Sequence, residues 1–306
     1  MKTMESLPTL KQLRHLVALA DHRHFGKAAK ASFVTQSTLS ASLKELETLL
    51  GAALVDRTRR RVTLTPLGEE TVERARRLLE EAGELAASAR AASEPLTGTI
   101  RLGVIPTVGP FLLPRILPAL RRDYPRLRLY LREDQTEPLL ARLEDGRLDA
   151  LVLALPYDIG NAESAILFSD RFSLALRPEH PLAALKRVPS DRIEAETLLL
   201  LQDGHCLRDH VLSTCRIGEK PHLDAFEATS LYTLVQMVDN GLGITLLPEL
   251  ALDAGILKGT RLMTRPVAGP EPNREIALIW RRGTARRDEF RLLAKEIARL
   301  ARPRRG

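Results

Sequence analysis

Between Leu10 and Leu50 the chain carries three closely spaced stretches of helical apolar periodicity, and they fix what its N-terminal part can become. Leu13, Leu16, Val17 and Ala20 mark the first face; Phe25, Ala28 and Ala29 mark a shorter second one. After a break at 32–35, a third helix is expected from about Gln36, with Leu39, Leu43 and Leu46 facing inward. The paired alanines of the second segment allow close helix crossing. The opposite face of the third carries Gln36, Thr38, Ser40, Ser42 and Lys44, donors and acceptors suited to base edges and phosphates in a major groove.

Beyond Gly51, the alternation around Val62 and Leu64 predicts a short strand, and Arg57, Arg59, Arg60 and Arg61 fill the turn before it. Such a wing reaches phosphates or a minor groove. Charge agrees: Met1 to Pro66 holds eleven Lys and Arg against five Asp and Glu, a net +6 of the chain's +7. A basic head on a near-neutral body suits a polyanionic partner. A generic three-helix bundle with a basic surface would explain the helices but not the arginine wing.

From Pro66 to about Ala92 the sequence is rich in Ala, Glu, Leu and Arg. Proline follows Thr65 at a helix start, and Val72, Ala75, Leu79, Ala82, Leu85, Ala86 and Ala89 form one stripe. A helix of this length, about 40 Å, is expected to pair along that stripe with a second copy. Glu94 to Gly98 ends it as a hinge. Strands and helices then alternate. Strands are expected at 99–105, 127–132, 148–155, 171–176, 197–201, 243–247 and 275–280, and helices at 112–123, 138–145 and 231–238. That pattern is α/β; one sheet of eight or more strands is compatible with it. Ligands of such sheets sit at carboxyl ends of strands, here the Ile105-Pro106-Thr107 turn.

The chain has two cysteines, Cys206 and Cys215. The first stands in Asp203-Gly204-His205-Cys206-Leu207-Arg208-Asp209. Nearby cations and a helix N-terminus lower a thiol pKa, and Leu207, Val211 and Leu212 suggest a helix running through Cys215. Nine helical residues span about 13–14 Å, whereas a disulfide needs Cα atoms roughly 4.4–6.8 Å apart. Joining the two sulfurs would therefore require the segment to refold. Two unrelated thiols, one buried and one exposed, fit the same spacing.

Composition, 44% hydrophobic and 28% charged, is that of a globular protein long enough for two or three domains. No secretory signal or membrane span is read from it, so a reducing cytoplasm is the expected home. His205, Cys206, His210 and Cys215 lack the paired short spacings of a zinc site, and no metal or other cofactor is expected.

At the head, Phe25-Gly26-Lys27-Ala28-Ala29, Thr35-Gln36-Ser37-Thr38-Leu39-Ser40 and Leu54-Val55-Asp56-Arg57 through Leu64-Thr65-Pro66-Leu67-Gly68 resemble the winged helix-turn-helix of LysR-type transcriptional regulators. Four body segments resemble the peroxide-sensing OxyR subfamily: Val104 to Pro110, Gln135-Thr136, Asp203 to Asp209, and Ala228-Thr229-Ser230-Leu231 through Gly243 to Pro248. The resemblance implies a winged-helix head at 1–66, a linker and dimerisation helix at 67–95, and a regulatory domain at 96–306. That last part would be an α/β domain of two lobes like periplasmic binding proteins, at about 96–168 with 272–306, and 169–271.

Residue by residue, the resemblance makes Cys206 the peroxidatic cysteine and Cys215 the resolving one, joined by a disulfide after oxidation to sulfenic acid. It assigns Thr107, Thr136, His205, Arg208, Asp209 and Arg274 to the peroxide pocket, with Arg208 and the helix N-terminus as thiolate stabilisers. Gln36, Thr38, Ser40, Lys44, Arg57 and Arg59 become the DNA contacts. Its implied partners are double-stranded promoter DNA, hydrogen peroxide and further copies of the chain as a dimer of dimers. It admits RNA polymerase and a disulfide reductant such as glutaredoxin or thioredoxin, and involves no membrane. One departure stands out: Ala225 precedes Phe226 where many relatives have histidine, with His222 three residues earlier; it bears on peroxide sensitivity.

Two other classes compete. A LysR-type regulator of an ordinary metabolite would share the head, with incidental cysteines. A thiol peroxidase would share Cys206, but neither the head nor the absence of a CxxC motif suits it.

Overall fold

Thr9 starts the first helix, α1 (Leu10–His22), by a reciprocal cap: its hydroxyl accepts from the Gln12 N–H while the Gln12 side chain accepts from the Thr9 N–H. In the computed structural model, which describes residues 7–57, 62–91, 96–194, 196–214, 227–268 and 272–301, α2 (Phe25–Ala31) and α3 (Gln36–Leu50) follow. Thr35 caps α3 and Gly51, at φ 67°, ends it. Leu16, Leu19, Ala28, Leu39, Leu43 and Leu46 fill the core between the three helices, so the periodicity points the right faces inward.

The wing is an antiparallel hairpin, β1 (Val55–Arg57) on β2 (Val62–Leu64). Glu47 of α3 ties it down, its carboxylate accepting from the Leu54 and Val55 N–H groups at 2.9 and 3.1 Å. Helix α4 (Pro66–Ala91) begins against the same turn. A side chain at Gly68 would put its Cβ 2.0 Å from the Leu54 carbonyl oxygen, so the close approach requires glycine there.

The apolar stripe of α4 does not serve a single purpose. Val72 and Ala75 are buried in the head's own core with Leu79 packed beside them, whereas Leu85 is 73% exposed. Arg76, on the same stretch, pairs with Asp21 of α1. The early turns of α4 are thus part of the head, and only the later stripe is left for another partner.

The chain divides into two compact units, Met1–Ala89 and Arg90–Gly306. In the second, β3 (Gly98–Val104), α5 (Gly109–Asp123), β4 (Leu127–Glu133), α6 (Thr136–Glu144) and β5 (Ala150–Leu155) build a parallel layer in which β3 lies between β4 and β5. β5 is buried along almost its whole length, as a strand covered on both faces should be. The crossover 156–161 leads to β6 (Ala162–Leu176), far longer than the 171–176 expected. Its first half is an edge partner of β11 (Asn273–Arg281). Glu163, Ser164 and Ser169 are tolerated there and hide the strand from a hydrophobic reading.

That long strand makes the two lobes. Residues 162–171 of β6 pair with β11, which returns to lie beside β5, while residues 172–176 pair with β9 (Thr245–Pro248) and β10 (Met263–Pro266). The second lobe adds α7 (Ser190–Glu194), β7 (Leu200–Leu201) parallel to β8 (Glu227–Ala228), α8 (Cys206–Thr214), α9 (Leu231–Asp239) and α10 (Glu249–Asp253). Ser230 caps α9. Helix α11 (Arg287–Ala301) covers the first lobe with Phe290, Leu293 and Ile297 inward. The β8, β10, α7 and α10 elements are too short to leave a periodic signal. No helix among the described residues is long and apolar enough to cross a membrane.

Candidate functional site

Two separate sets of side chains carry the chemistry. In the head, Gln36, Thr38 and Lys44 are exposed and Ser40 half-buried. At 100° per residue, Gln36, Ser40 and Lys44 follow one row of α3, while Thr38 and Ser42 lie on the other flank. The structure occupies that second flank internally. The Thr38 hydroxyl bonds the Thr35 cap at 2.8 Å, and the Ser42 hydroxyl bonds Nδ1 of the fully buried His15 at 2.8 Å. Arg57 ends β1, and Arg59 lies outside the described residues.

The second set lies in the regulatory unit. Asp203-Gly204 turns the chain into α8, with Gly204 at φ +88°. A Cβ there would also approach the Gln135 side-chain oxygen at 2.8 Å, so the turn and the close packing both need glycine. Cys206 is the first residue of α8, as its sequence context suggests, and is 3% exposed. It closes a narrow recess whose walls include Pro106, Thr107, Gln135, Thr136, Gly204 and His205. In this conformation the recess is too tight for a water-sized molecule. Thr107, Thr136 and His205, far apart in sequence, meet here, and all three are buried.

Arg274 is the organising charge. It is fully buried on β11, pairs with Asp170 of β6 through two bonds of 3.0 and 2.9 Å, and donates to the Thr107 hydroxyl at 2.9 Å and carbonyl at 3.1 Å. The second Asp170 oxygen accepts from the Leu250 N–H at the start of α10. A buried ion pair with this many bonds holds its geometry firmly. Thr107 is thereby more than a helix-entry residue: its hydroxyl is fixed by a cation from the far end of the chain.

The thiol does not behave as the flanking residues alone suggest. Burial pushes the Cys206 pKa up, against the opposing pull of the Arg274 charge, the Thr136 hydroxyl and its own backbone N–H; Asp209 adds to the rise. The Thr136 hydroxyl is buried without a conventional hydrogen-bond partner and lies close enough to the sulfur to favour its thiolate. Arg208, expected to stabilise the thiolate, turns instead to Asp203 at 3.0 Å and the Leu201 carbonyl at 3.3 Å. The stabilising cation comes from β11, 68 residues downstream of the cysteine in sequence numbering. Asp209 is exposed on the outer face of α8. Burial keeps the His205 ring neutral by lowering its pKa.

Cys215, His222, Ala225 and Phe226 lie outside the described residues. Three residues near the site had no role assigned to them from the sequence. Gln135 walls the recess, Asp170 holds Arg274, and His210 bonds the Pro156 carbonyl oxygen through Nε2 at 2.8 Å. Asp170 does leave a signal: it shares a strand face with Phe168, Phe172 and Leu174, an acid on an apolar stripe.

A family model for the bacterial regulatory helix-turn-helix protein, lysR family, matches residues 10–69, and one for the LysR substrate binding domain matches residues 93–302. The chain belongs to the LysR family of transcriptional regulators. This LysR-type regulator is 44% identical over 298 residues to the HTH-type transcriptional regulator EstR of Acinetobacter baylyi, covering 97% of this chain and 98% of that protein. It is 42% identical over 288 residues to the DNA-binding transcriptional dual regulator OxyR of Escherichia coli K12, covering 94% of each. Among solved structures, a full-length OxyR variant from Pseudomonas aeruginosa matches at 36% identity and TM-score 0.79, covering 95% of both chains. A hydrogen-peroxide-bound OxyR mutant from Corynebacterium glutamicum matches at 36% identity and TM-score 0.67, covering 97% of this chain and 93% of that one. The winged-helix head, two-lobed body and OxyR-like resemblance read from the residues are borne out.

Proposed function

We propose that this LysR-type regulator senses hydrogen peroxide through Cys206 and converts its oxidation into a change in promoter DNA binding. The observation that carries the reading is a buried thiol closing a narrow recess beside two threonine hydroxyls, one of them held by a fixed guanidinium. Peroxide has two adjacent oxygens that each accept and donate, so Thr107 and Thr136 can align it against sulfur. Its entry requires the recess walls to open.

The reaction is a two-electron oxidation. Cys206 thiolate attacks one peroxide oxygen, the O–O bond breaks, and the departing hydroxide takes a proton and leaves as water. Cys206 is then a sulfenic acid. The Cys215 thiol displaces the sulfenic oxygen as a second water, forming the disulfide, and a dithiol reductant such as glutaredoxin or thioredoxin restores both thiols. Burial works against the thiolate, and the Arg274 charge and the Thr136 hydroxyl oppose it where the thiolate forms.

The reading accords with a head at 1–66 onto which the early turns of α4 pack, a linker continuing to 95 and a regulatory domain at 96–306. The exposure of Leu85 on the later part of α4 supports pairing with a second copy, and a dimer of dimers would present several heads to one operator. Gln36, Ser40 and Lys44 read bases or phosphates, with Arg57 and Arg59 at the wing; Thr38 acts through the cap of α3. The protein is a cytoplasmic regulator rather than a turnover enzyme, and RNA polymerase is its natural downstream partner.

The alternative with a specific observation behind it is a metabolite-responsive regulator, since EstR, a relative of similar identity, has a name that mentions no peroxide. Footprinting of reduced and peroxide-treated protein on a duplex selected from a random pool separates the two. The redox reading expects different footprints that converge in Cys206→Ser; identical footprints overturn it.

A further inference from the structure

Thr214, the last residue of α8, stands about 12 Å along the helix from Cys206, and Cys215 follows it directly in sequence, so α8 must come apart if Cys206 is to reach Cys215. What holds α8 in place therefore governs the step after peroxide attack. Leu207 and Val211 anchor it by burial, at 2% and 1% exposure. His210 anchors it differently. One helical turn beyond Cys206 and on the same face, its side chain is 3% exposed and its Nε2 lies 2.8 Å from the Pro156 carbonyl oxygen. That carbonyl belongs to the crossover 156–161 of the first lobe, so the bond joins the reactive helix to a different lobe.

We propose that His210 is the latch of the redox switch, a positioning residue that holds α8 helical and sets how readily oxidised Cys206 can move to its partner. The inference rests on the peroxide-sensing reading and adds to it a residue that reacts with nothing. The bond has the form a latch needs. Nε2 carries the proton and donates to the carbonyl oxygen of Pro156. Arg274 on β11, Asp209 on α8 itself and the Pro156 carbonyl are the charged and polar groups acting on the ring, and burial outweighs them in keeping it neutral. A neutral donor in a dry site gives a bond that is kept while the helix is packed and exchanged for water once it opens.

The latch acts on one step and not the other. Forming sulfenic acid leaves α8 in place, so it does not require the His210 bond to break. Closing the disulfide does. Loss of the bond then lowers the cost of opening and leaves the first step alone, whereas a general loosening of the recess would alter both.

The full-length protein tests this with three variants. His210→Leu removes the donor while filling the space, and His210→Gln keeps a donor that reaches the same carbonyl. Cys215→Ser isolates the first step, read by trapping of the Cys206 sulfenic acid with a 1,3-dione. His210→Leu is expected to leave sulfenic acid formation unchanged and to speed disulfide closure roughly five- to tenfold, the worth of one net hydrogen bond. The dithiol–disulfide equilibrium against a glutathione buffer should shift toward the disulfide by a similar factor, and His210→Gln should restore both. Unchanged closure, equal acceleration of both steps, or failure of His210→Gln to restore would overturn the latch.

Hydrogen exchange at the α8 amides of the reduced protein reads the same bond without peroxide. It should rise several-fold in His210→Leu and return in His210→Gln; equal protection in all three contradicts the latch. Should wild-type Cys206 fail to oxidise at all, the peroxide reading falls while this second measurement still decides the latch.

Discussion

The head and the regulatory unit spend their polar groups in opposite ways. In the head, Gln36 and Lys44 face solvent from α3, and the buried polar contacts, such as Glu47 with the wing and His15 with Ser42, serve only to align elements. In the regulatory unit the key cation, Arg274, is fully buried and committed to Asp170 and Thr107 before any small molecule arrives. A surface that must meet a polyanion keeps its charges hydrated and mobile. A recess that must orient a small neutral oxidant fixes its charge in advance, because reorganisation during the reaction would raise the barrier.

The largest effect that tests this contrast is Arg274→Met. It leaves the Asp170 carboxylate buried without its cation and should destabilise the regulatory unit by about 3–5 kcal/mol, with the head's transition unmoved in a denaturant titration. A single shared transition, or a loss below about 1 kcal/mol, would mean that the pair is not the anchor its burial implies. Next comes salt. Affinity for a selected operator should fall on the order of a hundredfold or more between about 50 and 200 mM salt, while the rate of Cys206 oxidation by uncharged peroxide stays flat. A salt-dependent oxidation rate would break the comparison from the other side.

Thr107→Val is a smaller probe of the same frame. It leaves one Arg274 N–H unsatisfied and should cost about 1–2 kcal/mol of stability, with slower oxidation at each peroxide concentration. The smallest effect is on pH. Burial, with Lys11 and Arg14, lowers the His15 pKa from 6.5. Above that value both folded and unfolded chains are neutral at this residue and its full stability contribution is present. As pH falls below it, the unfolded chain takes up a proton that the folded head resists, so stability is lost. His15→Leu should flatten that acid limb in the head's transition. The regulatory unit, with His205 and His210 both lowered by burial, should keep its own acid limb in that variant.

How much of this was legible in the sequence follows the range of the interactions. The head's helices announce themselves through local spacing: Leu39, Leu43 and Leu46 lie within two turns, and Thr35, Gly51 and Pro66 mark the ends of α3 and the start of α4. The position of Cys206 at a helix start was legible for the same reason. Its electrostatics were not. Arg208 is near in sequence and points away; Arg274 acts from another strand through a pairing, β6 with β11, that no local pattern encodes. The burial that raises the thiol pKa is likewise a property of the packed lobes. The first half of β6 stayed hidden because an edge strand tolerates polar residues, and the pairing that gives Asp170 its partner stayed hidden with it.

The central claim is that Cys206, raised in pKa by burial yet served by Arg274 and Thr136, reacts specifically with peroxide and then with Cys215. Peroxide titration of the reduced full-length protein, with thiol trapping and peptide mass spectrometry, tests it most directly. The account predicts a Cys206–Cys215 disulfide at low peroxide, reversed by a dithiol reductant, with less oxidation by a bulkier organic hydroperoxide. Cys206 remaining reduced, or oxidising no faster than a free thiol in solution, would contradict it.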